Sequence, residues 1–225
     1  MNRQPSVAEG GHDAARLLDS FERDRLAVFT GHGFYGESRW VTDRQGRRTY
    51  LVGRGHGHPP TVLIHGGLSQ AGEWSLLAGR LPGHVLIPDR PGCGLSYRID
   101  YRTVADYRKA ATDWLLDLAN GIGADQLDLV GSSMGGFFSI AFATAHPDRV
   151  RRLVLVGYPA GLGREVPLFV RLWGNPITGP VIGKHMPTDP EILNRHGFRA
   201  VFIPAAAPVG VQHSGRLRAR LGCTC

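Results

Sequence analysis

The segment Leu127–Phe138, LDLVGSSMGGFF, places a serine between glycines where an apolar run stops. Gly131-Ser132-Ser133-Met134-Gly135 is a G-x-S-x-G pattern lying after a strand-like run and before a helical one. Its centre is Ser133, because a centre on Ser132 would require glycine at Val130 and Met134. Small residues two places to either side permit a sharp strand-to-helix turn that holds a hydroxyl in an exposed, strained position. A serine so placed sits at a helix N-terminus, where the dipole and the free N–H groups favour the negative charge that develops on an attacked carbonyl. The chemistry this suggests is nucleophilic attack by Ser133; the competing reading is a glycine-rich packing turn.

Two other punctuated stretches follow apolar runs. In His65-Gly66-Gly67-Leu68, after TVLI, the glycines let backbone N–H groups approach an oxyanion, with the N–H of Met134 as second donor. Each such donor contributes on the order of 3 kcal/mol to lowering the barrier. His65 reads as a structural residue tying its loop rather than as a base. In Asp89-Arg90-Pro91-Gly92-Cys93-Gly94-Leu95-Ser96, after HVLIP, Asp89 can be read as an acid or a ribose ligand. The stronger reading has Asp89 and Arg90 bracing the loop while Gly92 and Gly94 take tight turns. No G-x-G-x-x-G opens a helix after the first parallel strand, and no phosphate-binding GxxxxGK[ST] occurs, so no cofactor is expected.

The elements that position these stretches follow from periodicity. TVLIHG, HVLIPD, LDLVG and RLVLVG each read as a strand buried on both faces, as in a parallel sheet. GEWSLLAGRL, YRTVADYRKAATDWLLDLANGIG and SMGGFFSIAFATAHPDRV read as the intervening helices. This alternation predicts an α/β fold, a mostly parallel central sheet with helices on both faces. The three punctuated stretches then fall at the ends of successive strands, the edge where open α/β sheets bind ligands. Upstream, SRWVTD and RTYLVG, split by Arg44-Gln45-Gly46-Arg47, read as a hairpin adding an antiparallel edge. AARLLDSFERDRLAVF reads as an amphipathic helix.

Composition narrows the function classes. The chain has 225 residues, is 42% hydrophobic and carries a formal charge of +7. The length suits one α/β domain. No apolar run approaches the ~18 residues that cross a bilayer, and the N-terminus lacks the apolar core of a secretion signal, so a cytoplasmic protein with no membrane partner is expected. The arginines are spread out except in RLRAR, Arg216–Arg220, and no groove-reading motif accompanies it, which argues against nucleic acid. Cys93, Cys223 and Cys225 give neither a disulfide framework nor a zinc site, so no metal is expected.

VLIHGG, DRPGCGLS, LVGSSMGG and AHPDRVRRLVLVG, in this order and at these distances, resemble the serine-nucleophile branch of the α/β-hydrolase superfamily over roughly Ser38–Ala160. The resemblance implies an α/β-hydrolase core over 36–160, preceded by a helical extension over 1–35. It also implies a cap-like helical segment over 161–204, while the low-complexity, basic residues 205–225 read as a disordered tail. It implies Ser133 as nucleophile, with Gly67, Leu68 and Met134 at the oxyanion hole. The expected activity is hydrolysis of an ester-like or related bond in a small-molecule substrate, through an acyl-enzyme. In that family the acid and histidine follow the serine on late loops. Here Asp189 and Glu191 fall in a helix start, and His213 is the histidine placed late enough for a base, with a solvated tail residue as the alternative. The last strands therefore look missing or atypical, as in a truncated or frame-shifted reading. The second functional expectation is a catalytically incomplete, hydrolase-like fragment or binding protein.

Overall fold

The computed structural model describes residues 7–67, 69–157, 172, 175 and 177–185, with side chains from residue 16 onward. The chain divides into two units, Met1–Val28 with Met186–Cys223, and Phe29–His185 with Thr224–Cys225. In the first, the described residues belong to a helix, α1 (Val7–Gly31), on which the Arg25 guanidinium lies over the Phe21 ring at 4.4 Å. The second holds the sheet.

β1 (Glu37–Thr42) and β2 (Arg48–Arg54) form the expected antiparallel hairpin, registered from Glu37↔Gly53 to Thr42↔Arg48. Its turn is closed by the Asp43 carboxylate, whose Oδ1 accepts the backbone N–H groups of Gln45 and Arg47, each at 2.8 Å. There follow β3 (Thr61–Ile64), a 3₁₀ turn (Ala71–Trp74) running into α2 (Ser75–Ala78), and β4 (Val85–Pro88). Then come α3 (Val104–Gly121), β5 (Leu127–Ser132), α4 (Met134–Ala145), β6 (Val150–Val156) and α5 (Thr178–His185). Among the described residues the sheet has six strands in the order β1-β2-β4-β3-β5-β6. β2 is antiparallel to β4, while the β4, β3, β5 and β6 neighbours run parallel.

The central strands are apolar throughout because both their faces are covered. Val62, Ile64, Leu86 and Leu129 pack in one cluster with Trp114 and Leu118 of α3 and Phe138 and Phe142 of α4. Leu63, Val85 and Ile87, on the alternate face, are equally buried. α3 starts at a capping box: the Asp106 N–H donates to Thr103 Oγ1 at 3.1 Å and the Thr103 N–H to Asp106 Oδ2 at 2.9 Å. The Trp114 indole is seated by a hydrogen bond from Nε1 to Thr49 Oγ1 at 3.0 Å, joining α3 to β2.

Three sequence expectations need correction. GEWSLLAGRL was expected as one helix but forms the short 3₁₀ turn and the single turn of α2. α4 was expected to reach Val150 but stops at Ala145, because His146 precedes Pro147 and is pushed out of helical geometry (φ −135, ψ 64). A 3₁₀ turn, Pro147–Arg149, carries the chain into β6. The third concerns β6 itself, expected buried on both faces. Leu153 to Val156 are instead between 38% and 51% exposed, on the strand that ends the described order. Of the expected cap-like segment, α5 is described; the expected tail, 205–225, lies outside the described residues.

Candidate active site

The turn from β5 to α4 is tightly constrained backbone. Ser133 adopts φ 46, ψ −107, and among the described residues it has the one positive φ outside glycine. Such a conformation costs on the order of 1–3 kcal/mol and persists where the surroundings over-determine it. The glycines explain how they do. A Cβ on Gly131 would lie 2.6 Å from the Gly135 carbonyl oxygen, and one on Gly135 would strike the carbonyls of Ile64 and His65. The first turn of α4 thus packs backbone to backbone against β5 and the end of β3. The elbow is tied on either side by the Ser133 N–H donating to Val156 O at 3.3 Å and the Phe137 N–H to Ser133 O at 3.1 Å. As first residue of α4, Met134 presents an N–H with no partner within the helix.

Facing the elbow is the loop after β3. A Cβ on Gly67 would meet Met134 Cγ at 3.3 Å, so the two expected oxyanion donors belong to adjoining residues. A Cβ on Gly66 would lie 3.5 Å from Ser132 Oγ, which places Ser132 beneath this loop. His65 is fully buried; its Nε2 accepts the Arg90 N–H at 2.9 Å and its Nδ1 bonds Gly66 O at 2.9 Å. That pairing fits the structural role expected of it and leaves neither ring nitrogen facing the elbow.

The loop after β4 is the brace. Asp89 Oδ1 accepts the Ala71 N–H at 2.8 Å and Oδ2 the Leu95 N–H at 2.9 Å, while Ser96 Oγ donates to Asp89 O at 2.8 Å. Gly94, at φ 54, is obligatory because a Cβ there would sit on the Asp89 carboxylate. Arg90, 2% exposed, donates from Nε to His65 O at 2.9 Å, from Nη2 to Gly66 O at 2.7 Å and from Nη1 to Tyr107 Oη at 3.3 Å. Its guanidinium also faces the Phe138 ring at 5.2 Å. Burial pushes the Tyr107 phenol above its ordinary pKa against the pull of Arg90, so the neutral hydroxyl serves as acceptor. Cys93, buried, lies within the same knot, with Arg90 Nη2 3.7 Å from its sulfur.

The structure therefore brings Gly67, Ser133 and Met134 to one edge of the sheet, while Leu68 and His213 lie outside the described residues. Of the other late histidines, His196 also lies outside the described residues, and the two that are described are engaged elsewhere. The His146 ring packs on Phe142 at 5.2 Å, and His185 Nδ1 bonds Val181 O at 2.8 Å on α5. Among the described residues no side chain hydrogen-bonds the Ser133 hydroxyl, and no group of His, Cys, Asp and Glu could hold a metal ion. No described helix is long and apolar enough to cross a membrane. Sequence reasoning missed Glu73, whose Oε2 accepts the Gly66 N–H at 2.9 Å. An exposed glutamate in a helical stretch gives no sequence signal of such a contact.

Comparison with known proteins bears on the fold. Residues 59–173, about half of the chain, match the model for the alpha/beta hydrolase fold. Over 117 residues the chain is 38% identical to the 2-hydroxy-6-oxo-2,4-heptadienoate hydrolase of Pseudomonas putida, covering 47% of this chain and 38% of that protein. It is 35% identical over 142 residues to a 2-hydroxymuconate semialdehyde hydrolase of Pseudomonas putida, covering 57% of this chain and 46% of that one. The chain thus spans less than half the length of these curated relatives. The crystal structure of carboxylesterase CesB from Bacillus subtilis superposes with a TM-score of 0.69 at 18% identity, covering 91% of this chain and 67% of that chain, which shows a shared fold.

Proposed function

The chain belongs to the alpha/beta hydrolase fold family, and from that premise we propose that it is a serine hydrolase whose Ser133 hydroxyl attacks the carbonyl of a small-molecule substrate. The observation that most supports this reading is the strained backbone of Ser133, φ 46 and ψ −107, held between Gly131 and Gly135 at the strand edge. In the proposed reaction Ser133 Oγ bonds the carbonyl carbon and its proton passes to a base. The tetrahedral oxyanion takes hydrogen bonds from the N–H groups of Gly67 and Met134, with Leu68 as neighbour. Collapse expels the leaving group and leaves an acyl-enzyme, which water then hydrolyses. His213 is the candidate base. The substrate class is an ester-like bond or, following the relative named for a 2-hydroxy-6-oxo-dienoate, a conjugated ketone.

The competing reading, a chain that binds such molecules without turning them over, makes a different prediction. Mixed rapidly with p-nitrophenyl butyrate, a working nucleophile releases nitrophenol, as a burst of about one equivalent per chain where deacylation is the slower step, and Ser133→Ala loses this release. Equal release of nitrophenol from Ser133→Ala contradicts the proposal; saturable binding with no nitrophenol release supports the competing reading.

A further inference from the structure

Gly66 is gripped at both of its polar backbone atoms. Its N–H donates to Glu73 Oε2 at 2.9 Å, and its carbonyl accepts from Arg90 Nη2 at 2.7 Å and bonds His65 Nδ1 at 2.9 Å. Because His65 Nε2 already accepts the Arg90 N–H, the imidazole proton resides on Nδ1, which makes His65 a donor to Gly66. Both lone pairs of one carbonyl are then engaged.

The consequence falls on the next atom of the chain. The Gly66 C=O and the Gly67 N–H belong to one planar trans peptide and point in opposite directions. Holding the carbonyl toward Arg90 and His65 therefore holds the Gly67 N–H away from them, and Gly67 adjoins the Met134 side chain. Resting on the reading of Ser133 as nucleophile, we propose that Glu73 and Arg90 are positioning residues for the oxyanion hole, fixing φ and ψ at Gly66 so that the Gly67 N–H is aimed. Both are anchored for this. The Glu73 N–H donates to Gln70 O at 2.9 Å, in a turn itself held by Asp89 through Ala71, and Arg90 is fixed by Tyr107 and Phe138. An oxyanion donor acts only where it is aimed at the developing charge, and losing one outright costs about 10²–10³ in rate.

The test compares Glu73→Ala, Glu73→Gln and Arg90→Lys in the full chain. Glu73 is exposed, so its variants should keep the melting temperature of the unaltered chain. Amide hydrogen exchange at Gly66 should speed up on the order of tenfold in Glu73→Ala and return close to its original rate in Glu73→Gln, which retains an acceptor oxygen. Inactivation by a fluorophosphonate should show a maximal rate roughly tenfold lower in Glu73→Ala and Arg90→Lys, with half-saturation unchanged and with recovery in Glu73→Gln. If Arg90→Lys fails to fold, the Glu73 pair decides alone. Faster Gly66 exchange with an unaltered inactivation rate in Glu73→Ala overturns the inference, as does unaltered Gly66 exchange. If the unaltered chain is never labelled while Gly66 responds as expected, what fails is the reading of Ser133.

Discussion

The ends of β3, β4 and β5 and the length of β6 are written in the same residues and end in opposite environments. Leu63 of β3 is fully buried, whereas Leu155 of β6, in an equally apolar strand, is 40% exposed. The contrast separates two tasks. The candidate site draws its rigidity from the closed part of the sheet, through Asp89, Arg90, His65 and the glycines of the elbow. From β6 it draws a backbone contact, the Val156 carbonyl that accepts the Ser133 N–H. An exposed run such as Leu153–Val156 on an edge strand is also a surface prone to self-association.

The largest effect expected on this contrast comes from Gly135→Ala. Its added methyl meets the Ile64 and His65 carbonyls, which cannot withdraw without opening the sheet. The variant should lose about 3 kcal/mol or more in urea unfolding, or fail to fold. A loss below 1 kcal/mol would mean that the elbow is looser than its geometry. Next is a matched pair: Leu63→Ala should cost about 3 kcal/mol, and Leu155→Ala under about 1 kcal/mol. Equal losses would show that β6 is covered in solution and would break the comparison.

Much of this was legible in the sequence because it rests on local rules. The period of the apolar runs located β3 to β6, and the glycine spacing located the elbow and its centre at Ser133. The hairpin followed from Gly46 between two alternating segments. What was not legible depends on tertiary context. Nothing in RLVLVG distinguishes a central strand from one that ends the described sheet. Nothing in GEW announces that Glu73 reaches a backbone N–H seven residues earlier in the chain. Nor could Arg90 be seen to span two carbonyls of a different loop.

Smaller effects follow. Ser133→Gly should raise stability by about 1 kcal/mol, since glycine enters positive φ freely while losing more chain entropy on folding, and it should abolish any reaction of the site. A destabilised Ser133→Gly would show that the serine side chain itself contributes to the elbow. The smallest expected effect lies far from the site, in the β1–β2 turn. Burial would raise the Asp43 carboxyl, but the hydrogen bonds from Arg47 and the backbone N–H of Gln45 outweigh it and hold its pKa below the ordinary 3.8. The stabilisation is therefore present above pH 3.8 and is lost as pH falls through the lower folded value. Asp43→Asn should flatten this acid limb of the stability profile; an unchanged limb would assign it to other carboxylates.

The central claim is that the strained turn between β5 and α4 presents Ser133 as a nucleophile. Intact mass and peptide mapping after treatment with a fluorophosphonate address it directly. The account predicts one adduct per chain, located on Ser133 and absent from Ser133→Ala. Equal labelling of Ser133→Ala, or no labelling of a folded chain, would contradict it.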